Sequence, residues 1–254
     1  MSKNMDNVQI IILAAGKSKR MGGDSPKALA ILLGKPFMKH ILDTLETLLL
    51  PIKPIIVVGH MKERVKEVLG NDKNYAHQEE QLGTGHAVNS ARNAVHKDHS
   101  TILVLSTDQP LVSKETILNI IDAHESKNAT ITLATVVLPD FKEWRIGLNH
   151  FGRIIRDENG KVEKIVELKD ATKEEEEVLE VNPAMYAFKS EWLWENIDRI
   201  KNENAQGEYY LTDLIKIAFE QGEKVEAIPV SNILEGLQPN TKEELEVLEK
   251  LLDQ

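Results

Sequence analysis

Four cations, Lys17, Lys19, Arg20 and Lys27, fall within eleven residues of an otherwise acidic chain. They follow an apolar run at residues 8–13 that opens into Ala14-Ala15-Gly16, then Met21-Gly22-Gly23 and Ser25-Pro26-Lys27. Small residues let backbone amides approach a ligand closely, and clustered cations offset its charge, so this loop could form a di- or triphosphate site. Spacing alone leaves an ordinary exposed basic loop equally open. Two familiar nucleotide motifs do not fit. Gly16-Lys17-Ser18 looks like the end of a P-loop, yet its first glycine would fall at Ile11. Gly83-Thr84-Gly85 follows the polar residues 77–81 instead of an apolar strand, which weakens a dinucleotide fingerprint. Nucleophilic and zinc chemistry find little support: the chain has no cysteine, no Ser/His/Asp pattern, and no H-E-x-x-H among its eight histidines.

The elements that would position this loop follow from hydrophobic period. Short β-rich runs at 8–13, 55–58, 102–105, 130–137, 184–188 and 225–230 predict strands. Between them Phe37, Met38, Ile41, Leu42, Leu45, Leu48 and Leu49 recur at helical spacing. Weaker helical patterns cover 62–69, 87–95, 114–124, 211–220 and 241–251. Such alternation predicts parallel strands joined by crossover helices, an α/β sheet covered on both faces, with ligands at the strands' carboxyl ends. Residues 140–180 break the pattern. They are charged, carry β-like pieces at 153–155 and 162–166 around the hairpin signal Asn159-Gly160, and end in an acidic run at 174–177. We read them as an excursion from the sheet that could cover a site, with the acidic run as a solvated helix face. No repeat or linker divides the chain, so residues 1–254 are expected to form one domain.

Composition narrows the function further. The 41% hydrophobic content suffices for a sizeable core, which argues against disorder. Basic side chains number 31 against 41 acidic ones, and the formal charge of −10 disfavours nucleic acid or anionic membrane as partner. No apolar run reaches the roughly 18–20 residues of a membrane span, and the N-terminus lacks a signal-peptide pattern. A cytoplasmic protein is the expectation.

The first loop, L-A-A-G-K-S-K-R-M followed by S-P-K-A-L, resembles the signature of sugar-1-phosphate nucleotidylyltransferases. Three later motifs sharpen the resemblance: Glu80-Gln81-Leu82-Gly83-Thr84-Gly85-His86-Ala87; Phe151-Gly152-Arg153-Ile154 with the stretch from Ile165 to Thr172; and the stretch from Asn204 to Asp213. Together they resemble the uridylyltransferase domain of bacterial N-acetylglucosamine-1-phosphate uridylyltransferases, in order from about residue 8 to 250. The resemblance implies a Rossmann-like, three-layer nucleotidyltransferase (GT-A-like) α/β fold with a mostly parallel sheet and a small β excursion over the site. It implies UTP and N-acetylglucosamine 1-phosphate as partners, Mg2+ as cofactor, and the cell-wall precursor UDP-N-acetylglucosamine as product with pyrophosphate. Carried over by motif, the backbone of Leu13, Ala14, Ala15 and Gly16 would contact the nucleotide, with Arg20 and Lys27 as catalytic cations on its phosphates. Gln78, Gly83 and Thr84 would read uracil, Gly152, Glu167 and Asn182 would hold the sugar, and Asp108 and Asn240 would bind magnesium.

Residue chemistry suits several of these roles. Asp108 follows the apolar run 101–105, which places a carboxylate at a strand's carboxyl end, and magnesium takes one or two carboxylates with waters and phosphate oxygens. Its alternative is a turn or helix-cap aspartate. Asn240 precedes a capping box from Thr241 to Glu244 and could itself be only a cap. Pro26 stiffens the approach to Lys27, and the Gln78 amide matches the donor and acceptor edge of a base. The chain departs from the family at Ser18-Lys19, at Ser106-Thr107, at Pro183-Ala184 after Asn182, and by about two extra residues near Gln238-Pro239. The changes at 106–107 and 183–184 fall around the sugar pocket, which keeps two alternatives open: another sugar 1-phosphate, or a nucleotide- or sugar-binding regulatory protein without turnover. The bacterial enzymes usually continue into an acetylating β-helix. This chain stops at Gln254, so acetyl transfer is not expected of it and its oligomeric state stays open.

Overall fold

The computed structural model describes residues 5–16, 25–97 and 99–253. Arg20, Lys17, Ser18 and Lys19 lie outside the described residues. Strand β1 (Val8–Ala14) is rich in β-branched residues and buried almost throughout. Its one polar interior residue, Gln9, donates to the carbonyls of Ile10 and Lys53 and accepts from the His96 amide, so burial leaves that side chain satisfied. A small hairpin, β2 (Ile31–Leu32) and β3 (Lys35–Pro36), leads into helix α1 (Phe37–Glu46). Then follow β4 (Ile55–Val58), α2 (Lys62–Leu69), β5 (Asn74–His77), α3 (Thr84–Ser90), β6 (Thr101–Ser106), α4 (Lys114–Ser126) and β7 (Ile131–Val137). Strands β5, β4, β1 and β6 lie side by side, all parallel.

Side chains alternate between the two faces of this sheet, as strand geometry requires. Ile11, Val57, Ile102 and Val104 point to one face, and Ile10, Ile12, Ile56 and Leu103 to the other. The second face packs on α1, α2 and α4 through Met38, Ile41, Val65, Ile117 and Ile120. The result is the expected three-layer α/β arrangement. The strand β5 was not legible in hydropathy because it is an edge strand, paired on one side only, with just Ala76 buried. Among the described residues no helix is long and apolar enough to cross a membrane.

Beyond β7 the chain does what its charge pattern suggested. Residues after Val137 stay at the carboxyl ends of the strands and form a short turn (Glu143–Leu148) and a hairpin, β8 (Arg153–Arg156) and β9 (Val162–Val166). Its loop is closed by Asp157, whose carboxylate accepts from the Asn159 and Lys161 amides, with Gly160 at φ +78°. The acidic run forms a helical turn, α5 (Lys173–Glu176), capped by a reciprocal pair between Thr172 and Glu175. Strand β10 (Glu180–Val181) then pairs with both β7 and β8. The excursion is thus a branch of the sheet, welded to the end of β7, and Ile154 and Ile165 belong to the main core.

This excursion corrects one expectation. No crossover helix returns the chain to the amino ends of the strands, so β11 (Tyr186–Lys189) re-enters from the carboxyl side and runs antiparallel to β6 and β7. Helices α6 (Ser190–Asn196), unmarked by hydropathy, and α7 (Asp213–Glu220) cover the first face with α3. Strand β12 (Val225–Pro229) restores the parallel direction against β7. The chain closes with α8 (Lys242–Leu252).

Candidate functional site

Three strand ends and the start of a helix converge on one cavity of about 540 Å³. Ala15 and Gly16 follow β1, Gln78 follows β5, and Thr107 and Asp108 follow β6, while Gly83 and Thr84 open α3. Ser106, Lys27, Asn240, Gln81 and Glu208 complete the lining, with Leu13 and Ala87 among its apolar part. Ala14 points away, into the core of the opposite face, so only its backbone is available to a ligand. A Cβ at Gly16 would meet nothing within 4 Å among the described residues, so none of them crowds that backbone.

At the floor of the cavity lies a three-residue cluster assembled from distant parts of the chain. The Lys27 ammonium is 3.1 Å from Asp108 Oδ2 and donates to Asn240 Oδ1 at 2.6 Å. Lys27 starts a short turn after Pro26, fixed by amide bonds from Leu29 to Pro26 and from Ala30 to Lys27. Asp108 is no helix cap; Ser113 caps α4. Burial by itself would raise the Asp108 carboxyl, but the Lys27 charge and hydrogen bonds from the Ser106 and Lys27 side chains outweigh it and hold the group below its usual range.

Asn240 likewise is not the cap of α8. Thr241 is, accepting from the Glu244 amide at 3.1 Å. The expected capping box is altered, because the Glu244 carboxylate accepts from the Asn240 amide at 2.6 Å in place of the Thr241 amide. That bond anchors the Asn240 backbone and leaves its carbonyl oxygen for Lys27. The donor set suits magnesium: Asp108 and Asn240 offer hard oxygens, and Asp108 Oδ1 is buried without a hydrogen-bond partner among the described residues. Among those residues no cluster of three or more His, Cys, Asp or Glu could hold a metal. A magnesium ion needs none, since it keeps waters and takes phosphate oxygens.

The side chains expected to read a base are braced. Gln78 Nε2 donates to the Gly83 carbonyl at 3.1 Å and faces His86 Nδ1 at 3.1 Å. With that ring nitrogen unprotonated, both amide hydrogens are committed and Oε1 is the atom left for a base N–H. The Thr84 hydroxyl accepts from the Leu211 amide at 3.0 Å. That bond occupies one lone pair and leaves the O–H, with the backbone at the start of α3, facing the cavity.

The three residues expected to hold a sugar form a second cluster outside that cavity lining. The Asn182 amide donates to the Gly152 carbonyl at 2.9 Å, and its side chain donates to the Tyr186 hydroxyl at 2.6 Å. A Cβ at Gly152 would lie 3.5 Å from Glu167 Oε1 and 2.8 Å from Ile165, so only glycine lets these elements meet. Glu167 accepts from the Thr212 hydroxyl at 3.3 Å. Burial pushes the Glu167 carboxyl up, against the Thr212 bond, and Asp170, Asp213 and Glu208 add to the rise. Next to Asn182, Ala184 sits at φ +63°, in the left-handed region that favours glycine.

The raised Glu167 group makes a prediction. Its folded form holds a proton more tightly than the unfolded chain, so it lowers stability as pH rises above the ordinary carboxylate range. Glu167→Gln should melt roughly 2–4 °C higher than wild type near pH 7, with the gain fading as pH falls towards about 4. Thermal unfolding at several pH values measures it; equal melting near pH 7 would reject the burial argument.

Sequence reasoning gave no role to Gln81 and Glu208 in the cavity or to Tyr186 and Thr212 around the second cluster, and it set Ser106 and Thr107 by the sugar pocket where the structure lines the first cavity with them. Gln81 and Glu208 lie inside stretches already singled out as motifs, which was the available signal. Thr212 shares the Asn204–Asp213 motif with Glu208, whereas Tyr186 carries no signal, because strand pattern alone does not mark a side chain as facing a cleft.

Comparison with known proteins follows the same lines. The family described as MobA-like NTP transferase domain matches residues 10–198. The chain is 41% identical over 248 residues to the bifunctional protein GlmU of Enterococcus faecalis, covering 98% of this chain and 52% of that protein. Against the bifunctional protein GlmU of Bacillus subtilis it is 39% identical over 249 residues, 98% of this chain and 53% of the other. The chain thus spans about half the length of the curated relatives it matches. Two solved structures share the fold at low identity. A UDP-glucose pyrophosphorylase complexed with UDP-glucose superposes with a TM-score of 0.75 at 15% identity, over 96% of this chain and 98% of that one. The 4-diphosphocytidyl-2C-methyl-D-erythritol synthase of Anaerococcus prevotii gives 0.66 at 16%, over 99% and 100%.

Proposed function

The chain belongs to the MobA-like NTP transferase family, and from that membership we propose that it transfers a uridylyl group from UTP to N-acetylglucosamine 1-phosphate. The products are UDP-N-acetylglucosamine, a cell-wall precursor, and pyrophosphate, formed in the cytoplasm by a single nucleotidyltransferase domain. The observation that carries this reading is the cluster of Lys27, Asp108 and Asn240 at the carboxyl ends of β1 and β6, beside the open backbone of Gly16. The relatedness to GlmU proteins over nearly the whole chain supports it.

In this reading the sugar phosphate oxygen attacks the α-phosphorus of UTP in line, the bond from that phosphorus to the pyrophosphate oxygen breaks, and pyrophosphate leaves. Such transfers are accelerated by positioning and charge neutralisation and need no protein nucleophile, which suits a chain without cysteine. Lys27 and Arg20 set positive charge against the phosphates, and the backbone after β1 lets them approach. Asp108 and Asn240 would hold magnesium, which would supply further charge neutralisation when bound. Gln78 and the start of α3 orient the base. Gly152, Glu167 and Asn182 orient the sugar, and the raised Glu167 carboxyl fits a group awaiting hydroxyl donors.

Pyrophosphate release from purified protein with UTP, magnesium and a panel of sugar 1-phosphates tests the proposal. Release with N-acetylglucosamine 1-phosphate at least about tenfold above the others is expected, the ratio that one net hydrogen bond of about 1.4 kcal/mol supplies. Preference for another sugar would keep the mechanism and move the substrate; Pro183 and the left-handed Ala184 beside Asn182 are the observation that favours this second reading. No release with any sugar, despite UTP binding, would leave a regulatory binding protein.

A further inference from the structure

Lys27 is only 9% exposed, and its ammonium touches the two side chains whose oxygens suit a divalent cation. Two positive centres cannot share that place cheaply, because the charges would repel across a partly dry cleft where screening is weak. The two cations differ in one respect that matters: an ammonium rides on a flexible four-carbon stem and can leave while its backbone stays put. Here the backbone is held by the turn after Pro26. A lysine also engages only part of what a metal would. It pairs with Asp108 Oδ2, while Oδ1 stays buried without a partner among the described residues.

We infer that Lys27 stands in for the metal in the free protein. It ties Asn240, 213 positions away in the chain, to Asp108 at the end of β6, and so keeps the site assembled. It also keeps a free divalent cation out. The phosphates of an arriving nucleotide compete for the ammonium with more charge than one carboxylate and one amide oxygen provide. When Lys27 turns to them, Asp108 and Asn240 are released together, so the cation is taken up with the nucleotide and not before it. Binding order is thereby built into one side chain that later serves the same phosphates. This inference rests on the assignment of Lys27, Asp108 and Asn240 to one site, not on the identity of base or sugar.

Titration of purified protein with Mn2+ alone, following loss of the free-ion electron paramagnetic resonance signal, tests it. Wild type should bind Mn2+ weakly, and Lys27→Met at least about tenfold more tightly. With UTP, wild type should take up Mn2+ at least about tenfold more tightly than protein alone after subtraction of a UTP-only titration. Combining Lys27→Met with Asp108→Ala should abolish the gain, which locates it at this site. Lys27→Gln keeps an amide donor for Asn240 Oδ1 and removes only the charge; it should show the same gain and serves if Lys27→Met does not fold by circular dichroism. Equal Mn2+ affinity in wild type and a folded neutral variant would overturn the inference. The pyrophosphate assay is independent: tighter Mn2+ binding in the variants, with no turnover by wild type, would keep the metal stand-in and reject uridylyl transfer.

Discussion

Asp108→Ala is expected to fold with unchanged circular dichroism and to release pyrophosphate about a thousandfold more slowly than wild type. The carboxylate lies two residues past β6, whose pairing with β1 and β11 does not involve it, so backbone structure should survive. Its loss removes the only carboxylate in contact with Lys27 among the described residues, and one of two oxygens suited to magnesium. Stability should fall by about 1–3 kcal/mol, the cost of leaving a buried polar group short of its partner. The acid dependence gives a second reading of the same contact. Because the folded carboxyl ionises more readily than in the unfolded chain, it contributes stability above the ordinary carboxylate range and loses it as pH falls through the folded value. The difference in melting between wild type and Asp108→Asn should therefore shrink in acid. Turnover of Asp108→Ala within tenfold of wild type would remove Asp108 from the site.

Gly83→Ala should be the most damaging small change in the fold. Gly83 caps α3 at φ +108°, a backbone conformation reserved for glycine. An added Cβ would lie 2.6 Å from the Tyr209 carbonyl oxygen and 2.8 Å from the Tyr209 nitrogen, and backbone cannot yield as a side chain does. The crowding is built in, since the Tyr209 amide donates to Leu82 and the Gly85 amide donates to Tyr209, both at 2.8 Å. These bonds zip the segment before α7 to the start of α3. We expect a loss of about 3–5 kcal/mol from strain and overpacking together, or roughly 10 °C in melting temperature for a chain of this size. Nucleotide affinity should fall with it, because Gln78 leans on the Gly83 carbonyl. Gly160→Ala is the control: it also has positive φ, +78°, but nothing within 4 Å of the added carbon, so about 1–2 kcal/mol is expected. Equal losses in the two variants would show that conformation alone, without the Tyr209 contact, governs both.

Much of the fold was legible because local pattern and tertiary environment agree. The runs at 55–58 and 162–166 emerge as strands with those same bounds, and 62–69 as a helix, since the side chains that make the pattern are the ones buried. Where a strand needs cover on one side only, as at Asn74–His77, there was no apolar run to read. Strand direction was not legible either. The residues at 186–188 read equally well up or down, and β11 is antiparallel only because the excursion delivers the chain to the carboxyl side.

The site divides in the same way. The available chemistry can be read along the chain: a small-residue turn after an apolar strand, a carboxylate at a strand end, an asparagine before a capped helix, and a lysine stiffened by proline. Residue type, strand period and capping are local properties, so they survive without the rest of the chain. Packing brings Lys27, Asp108 and Asn240 into one set of contacts, across separations of 81 and 213 residues. It also decided that Thr241 and not Asn240 caps α8, and that Glu167 is buried among other carboxylates. Such facts depend on which elements the packed core brings face to face. Hydrogen bonds of a few ångströms do not leave a trace in spacing along the chain, because their geometry is set by the sheet and helices that carry them.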